Sequence, residues 1–159
     1  MAALSSTDSA TTASVRARAV IAARAWIGTP YRHQASCLGA GTDCLGLVRG
    51  VWRALYGAEP EEIPPYSPDW AETGGGETLL AAGRRWLVET PLAEARPGDV
   101  LVFRWRDNSA AKHTGLLSAP LGQSPHLIHA YERAGVIECP LVPAWQRRIA
   151  AVFSFPETD

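Results

Sequence analysis

The chain has 159 residues, of which 47% are hydrophobic and 19% are charged, as expected for one ordinary globular domain and not for a disordered or fibrous chain. Fifteen Lys and Arg stand against sixteen Asp and Glu, which leaves a formal charge of −1. Without a positive excess, the chain lacks electrostatic support for binding nucleic acid or anionic membranes. No segment approaches the roughly 20 apolar residues that cross a bilayer, so we expect no membrane insertion.

The N-terminal segment is small and polar. MAALSSTDSATTAS has no basic stretch followed by an apolar run, so we predict no secretory signal and expect synthesis in the cytoplasm. Residues 1–12 are predicted to be a disordered tail, and residues 13–159 a single domain. The three cysteines, an odd and low number, argue against a disulfide framework.

The first half of the chain predicts helices. Apolar residues recur at helical spacing from residue 15 to residue 26, and Gly28 ends the pattern. A Gly-rich loop follows. The next helix is predicted to begin at Asp43 or Cys44, with Asp43 as a good N-cap, and to end at Gly57.

The second half changes to strand patterns after a loop and a short helix. Residues 58–76, rich in Pro, Gly and Glu, predict a surface loop, and residues 79–88 predict a third helix. Strands are predicted at 100–105, 114–118, 127–131, 136–141 and 149–155. Helices followed by strands predict an α+β domain, with an antiparallel sheet of about five strands packed against the N-terminal helices.

Cys44 stands where a reactive thiol is expected, at a predicted helix start. Backbone N–H groups are unpaired there and the helix dipole is positive, and both effects stabilise a thiolate. A small buried apolar residue is the other usual fate of a free cysteine, and the position alone does not separate the two interpretations.

Two of the four histidines are candidates for acid–base chemistry. His113 opens a predicted strand, where a neutral imidazole can take the thiol proton and later donate it to a leaving amine. Taken alone, the residue is more simply interpreted as a strand-edge histidine bonded to the backbone. His129 lies mid-strand among apolar residues and needs a partner, either as the group that orients His113 or as a core histidine. His126 should lie on the opposite face from His129, which disfavours a zinc chelate, and His33 lies in the Gly-rich loop.

Metal and cofactor signatures are missing from the sequence. There is no C-x-x-C, no H-E-x-x-H, no P-loop and no dinucleotide fingerprint, so we predict neither a metal nor a cofactor. A metal-dependent amidase with His113, His129 and Cys44 as ligands stays open as an alternative.

Five short segments follow one another in an order that resembles the NlpC/p60 cell-wall cysteine peptidases. They are Gly28-Thr29-Pro30-Tyr31, Asp43-Cys44-Leu45-Gly46, Pro97-Gly98-Asp99-Val100, His113-Thr114-Gly115-Leu116 and Ile128-His129-Ala130. The resemblance implies a papain-like core with Cys44 as nucleophile, His113 as general base and His129 as the orienting residue. It also implies that Tyr31 lies beside the thiol and helps to bind substrate or to stabilise the oxyanion.

One departure narrows the resemblance. Leu45 replaces the serine that this family commonly has after the cysteine, and the surrounding loop is similar to the branch found in phage tail modules and gene transfer agents. That branch implies cleavage of peptidoglycan stem peptides, typically between D-glutamate and a diamino acid. It also implies partners among tail or baseplate proteins, on a particle that delivers DNA through the periplasmic wall. A non-catalytic particle component and an acyltransferase or amidase with another substrate remain alternatives.

Overall fold

The computed structural model describes residues 13–62 and 77–157. Within them, helices and a short ribbon come first: α1 (Val15–Arg24), β1 (Ser36–Cys37), β2 (Gly41–Thr42), α2 (Cys44–Tyr56) and α3 (Thr78–Trp86). Strands dominate afterwards: β3 (Val88–Thr90), β4 (Val100–Phe103), β5 (His113–Ala119), β6 (His126–Tyr131), β7 (Gly135–Pro140) and β8 (Ile149–Ser154). A 3-10 turn at Leu92–Glu94 precedes β4, and the short helix α4 (Pro143–Gln146) precedes β8.

The strands β3 to β8 form one antiparallel sheet in the order β3-β8-β4-β5-β6-β7. Because side chains alternate along a strand, the sheet has two apolar faces. One face packs against α1, α2 and α3, where Leu116 and Ile128 of the sheet share a buried core with Ala19, Leu47 and Val51 of the helices. The other carries Leu101, Phe103, Leu117, Leu127, Leu141 and Val152. The predicted α+β class with helices packed on an antiparallel sheet is confirmed.

The observed bounds of the predicted strands and of the third helix lie within two residues of the predictions. The third helix ends at Trp86, because Leu87 is already extended and Val88 begins β3. This gives the sheet a sixth strand that was predicted as the end of a helix; it is a three-residue edge strand and too short to show alternation. The predicted tail and residues 63–76 of the predicted loop lie outside the described residues.

The Pro97-Gly98-Asp99 turn attaches α1 to the sheet. The Asp99 carboxylate is fully buried, and it accepts hydrogen bonds from Arg16 Nε at 2.8 Å, Ser154 Oγ at 2.9 Å and the Arg96 backbone N–H at 2.9 Å. Gly98 has φ +100°, and a Cβ there would lie 2.3 Å from the Arg16 carbonyl oxygen. The turn therefore has a structural role, which is to hold α1 against the sheet. No helix in the described part of the chain is long and apolar enough to cross a membrane.

Candidate active site

Cys44 is the first residue of α2, and Asp43 is its N-cap. The buried Asp43 carboxylate accepts hydrogen bonds from the backbone N–H groups of Gly46 and Gln34, both at 2.8 Å. These bonds satisfy one of the orphan donors of the helix start and fix the preceding loop to it. The capping role predicted for Asp43 is confirmed.

Gly46 lets the first turn of α2 lie directly on that loop. A Cβ at this position would be 2.0 Å from the Ala35 carbonyl oxygen and 2.5 Å from Thr42 Oγ1. On its other side, the helix start is attached to the sheet, because Thr114 Oγ1 donates to the Cys44 carbonyl at 3.0 Å. The residue next to His113 therefore fixes the backbone of Cys44.

The Cys44 thiol is neutral in this environment. Its Sγ lies 3.9 Å from the Lys112 carbonyl oxygen. Burial raises the pKa of the thiol to about 11, with a further increase from the negative charge of Asp43, while hydrogen bonds from Thr114 and Leu45 lower it. The site therefore holds a protonated thiol at neutral pH, although the helix dipole favours a thiolate.

His113 and His129 form a hydrogen-bonded pair. His113 opens β5 opposite Phe103, and its Nε2 lies 2.9 Å from Nδ1 of the buried His129 in β6. Burial lowers the pKa of His113 to about 3, assisted by His129, and burial lowers the pKa of His129 to about 4. Both imidazoles are therefore neutral. Since Nε2 of His113 is used by His129, Nδ1 is the ring nitrogen left for chemistry.

An aromatic cage holds this pair, and no pattern in the sequence predicted it. Trp105 stacks on His113 with ring centroids 5.6 Å apart. Trp145, from α4, lies edge-on to His113 at 5.7 Å and to His129 at 5.1 Å. Trp105 lies in the segment between β4 and β5, and Trp145 lies in α4, so only the tertiary structure brings both of them to the histidines.

A cavity of about 310 Å³ joins these groups. Cys44, His113 and Tyr31 all line it, so three of the four residues predicted for the site share one space. The other lining residues are His33, Asp43, Leu45, Trp105, Lys112, Ala130, Tyr131, Glu132 and Trp145. Burial raises the pKa of Tyr31 to about 12, with smaller contributions from Cys44, Asp43 and Glu132, so its phenol stays protonated and can donate a hydrogen bond.

The remaining histidines and cysteines take different positions. His129 lies behind His113 and does not line the cavity; His33 lines it, with Nδ1 3.9 Å from Asp43 Oδ2. His126 is bonded to the Ser124 carbonyl at 2.8 Å, in the same strand as His129. Cys37 is exposed. Cys139 lies with Sγ 3.5 Å from His129 Nε2, a contact that was not predicted.

Cys44, His113 and His129 do not form the metal site that the alternative requires. Within residues 13–62 and 77–157, no three His, Cys, Asp or Glu side chains converge to hold a metal ion. The ring nitrogens of the two histidines point at each other, at 2.9 Å, instead of at a common centre. The two imidazoles are therefore arranged as a hydrogen-bonded pair.

Solved NlpC/P60 structures share this fold. A Staphylococcus aureus protein described as similar to a lipoprotein of the NLP/P60 family matches with a TM-score of 0.58 and 16% identity, over 91% of this chain and 42% of that one. NlpC1 from Trichomonas vaginalis matches with a TM-score of 0.56 and 18% identity, over 92% of this chain and 46% of its own. NlpC2 from the same organism gives 0.57 and 18%, over 92% and 48%. The fold is that of the NlpC/P60 proteins.

The likeness extends over the domain but not over the whole relatives. The chain spans less than half the length of each of these three structures. No family model and no curated protein matches the sequence. At 16% to 18% identity, these likenesses show the fold alone.

Proposed function

We propose that this chain is a cysteine peptidase that hydrolyses peptide bonds in the stem peptides of bacterial peptidoglycan. One observation carries the proposal. Cys44, at the N-terminus of α2, and His113, at the start of β5, line the same cavity, and the far ring nitrogen of His113 is bonded to the buried His129. A nucleophile, a base and an orienting group in that order are the requirement for covalent acyl transfer.

The neutral states of the Cys44 thiol and the His113 imidazole determine when the proton moves during acylation. Because the thiol is protonated and the imidazole neutral, the proton moves during the attack and not before it. The thiol hydrogen turns from the Lys112 carbonyl to Nδ1 of His113 as Sγ bonds to the substrate carbonyl carbon. The imidazolium then gives that proton to the amine nitrogen as the C–N bond breaks, which leaves a thioester on Cys44.

Deacylation uses the same base. Nδ1 of His113 takes a proton from water as the water oxygen attacks the thioester carbonyl, and the proton returns to Sγ as the C–S bond breaks. The backbone N–H of Cys44, at the start of α2, is suited to stabilise the oxyanion of both intermediates. The protonated Tyr31 phenol, on the same cavity wall, is a second donor.

The substrate class is supported by the fold and by the lining of the cavity. NlpC/P60 proteins share the fold over 91% or more of this chain. The cavity places ionisable side chains beside the tryptophan rings, which suits a short peptide that carries both carboxylates and an aliphatic amine. We propose the bond between D-glutamate and the diamino acid as the one cleaved.

The test is digestion of purified peptidoglycan fragments, with the products identified by mass spectrometry. Wild type should release products from one stem-peptide bond, and Cys44→Ala should release none. The matched control is Cys37→Ala, which removes an exposed thiol outside the cavity and should cleave like wild type. Equal cleavage by wild type and Cys44→Ala would exclude the proposed nucleophile, and cleavage of no fragment by wild type would exclude the substrate class.

We further propose that the protein acts on a phage-like particle, among tail or baseplate proteins, to open the periplasmic wall for DNA delivery. The support is the Asp43-Cys44-Leu45-Gly46 segment and the loop before it, which resemble that branch of the family. Particles purified on a density gradient should contain the chain and should lose wall-cleaving activity with Cys44→Ala. A chain found only outside the particles would exclude this setting.

A further inference from the structure

Cys139 and His129 are diagonal neighbours on one face of the sheet. Cys139 in β7 is paired with Leu127, and His129 in β6 is paired with Ile137, so the two side chains project to the same side, two residues apart in register. Sγ of Cys139 lies 3.5 Å from Nε2 of His129. The imidazole of His129 is therefore bonded at both ring nitrogens, to His113 on one side and to Cys139 on the other.

A neutral imidazole has one N–H donor and one acceptor nitrogen, so the hydrogen bonds that join Cys139, His129 and His113 have two possible arrangements. In the first, His129 Nε2–H donates to the Cys139 sulfur, His129 Nδ1 accepts from His113 Nε2–H, and Nδ1 of His113 is a free acceptor. In the second, the Cys139 thiol donates to His129 Nε2, His129 Nδ1–H donates to His113 Nε2, and Nδ1 of His113 carries the proton. Only the first arrangement leaves a base for the Cys44 proton.

The surroundings of the two rings allow the hydrogen bonds between Cys139, His129 and His113 to run in either direction. Burial lowers the pKa of both histidines, so neither ring has two protons to satisfy both partners at once. Burial also raises the pKa of Cys139, so this residue is a thiol, which can donate or accept. The edge of Trp145 lies against both rings and fixes their planes without a hydrogen bond to choose their tautomers.

We propose that Cys139 is a positioning residue for the reaction. Its sulfur accepts the hydrogen bond of His129 Nε2–H and so sets the tautomers of His129 and His113, which leaves Nδ1 of His113 as the proton acceptor for Cys44. The inference rests on the proposed function of Cys44 and His113. Cys139 becomes the fourth residue of the site after Cys44, His113 and His129, and it does not line the cavity.

The test reads the tautomers directly. In a Cys37→Ser background, wild type, Cys139→Ala and Cys139→Ser are labelled with ¹⁵N-histidine, and the ring-nitrogen chemical shifts of His113 and His129 are recorded. Each protein is then treated with iodoacetamide, and the alkylation rate of Cys44 is followed by peptide mass spectrometry. Cys139→Ala should show mixed tautomers and a Cys44 rate reduced about tenfold, the lower end of what loss of an outer partner costs a functional histidine at metal sites. Cys139→Ser, which keeps an acceptor, should regain the wild-type tautomer and most of the rate.

The control separates tautomer from packing. Ile137 lies directly opposite His129, and Ile137→Val removes a methyl group beside the same ring without touching its hydrogen bonds. It should leave the shifts unchanged. Wild-type shifts and rate in Cys139→Ala, or the same change in Ile137→Val, would overturn the proposal. Neither readout uses peptidoglycan, so a protein that shows the expected shifts but cleaves no wall fragment would contradict the proposed substrate and not the role of Cys139.

Discussion

The two halves of the site are built by different means. The Cys44 half is held mainly by contacts close to it in the sequence: Asp43 caps α2, and the first turn lies on the Ala35 carbonyl through Gly46. The imidazole pair is held by side chains from β4 through α4, above all Trp105 and Trp145. The comparison shows that neighbouring residues set the start of α2, which one hydrogen bond from Thr114 joins to the sheet, whereas the imidazole pair depends on the completed sheet.

The halves also differ in how they control protons. Near Cys44, burial and the charge of Asp43 keep the thiol protonated. Around His113, burial keeps the imidazole neutral. Each half disfavours the ionised form of its own group, so Cys44 and His113 do not rest as a thiolate–imidazolium ion pair. In the proposed reaction the proton must therefore be transferred during the attack on substrate, so the placement of the acceptor nitrogen on His113 is decisive.

The largest effect is expected from removing the base on the imidazole side. His113→Ala should lower kcat/KM by about 10²- to 10⁴-fold, the usual contribution of a general base. The control is His126→Ala, because His126 is bonded to a backbone carbonyl and does not line the cavity. Steady-state kinetics on a stem-peptide fragment make the comparison. Similar losses in both variants would show that the strands, and not the base, had been damaged.

The local half is tested by Gly46→Ala. The added methyl would lie 2.0 Å from the Ala35 carbonyl oxygen, so the loop must move, and the free energy of unfolding should fall by about 3 kcal/mol. Gly122→Ala is the control, because nothing lies within 4 Å of a Cβ there. Urea denaturation measures both. An unchanged midpoint for Gly46→Ala would mean that the loop does not hold the start of α2.

A smaller effect is expected from the aromatic cage. Trp145→Ala removes edge-on contacts to both histidines, worth about 1.5 kcal/mol, so kcat should fall about tenfold. Trp145→Phe keeps an aromatic edge and should retain more of the rate. Because Trp145 also lines the cavity, kcat and KM are measured separately. A rise in KM at constant kcat would assign the ring to substrate binding instead of to holding the pair.

The smallest effect is a pH dependence of stability. Burial lowers the pKa of His113 to about 3 and of His129 to about 4, below their ordinary value of 6.5. The unfolded chain therefore binds more protons between these values, and the contribution of the pair to stability is fully present above pH 6.5 and is lost as the pH falls toward the folded pKa values. The double variant His113→Gln/His129→Gln should lose less stability than wild type between about pH 7.5 and about pH 5.5 in urea melts. Equal losses would contradict the burial of the imidazoles.

Local signals in the sequence predicted the start of α2, its cap and the position of Cys44. Asp43 followed by an apolar stripe is read from neighbouring residues, because helix starts depend on contacts three or four residues away. Five strands were predicted from alternation, and β3 was missed because three residues at a sheet edge show no period. The placement of His113, His129 and Tyr31 around the thiol came from the family resemblance together with the order of the segments.

By itself, the sequence determined the class of fold, the cap of α2 and the place of Cys44 at the helix start, because each depends on short-range spacing of apolar and polar residues. Only the tertiary structure decided which side chains surround the imidazoles. Trp105, Trp145 and Cys139 reach His113 or His129 through strand register and the path of α4, which no local pattern specifies. The physical reason is that burial and hydrogen-bond direction depend on every element packed around a group, whereas helix and strand periods depend on the chain next to it.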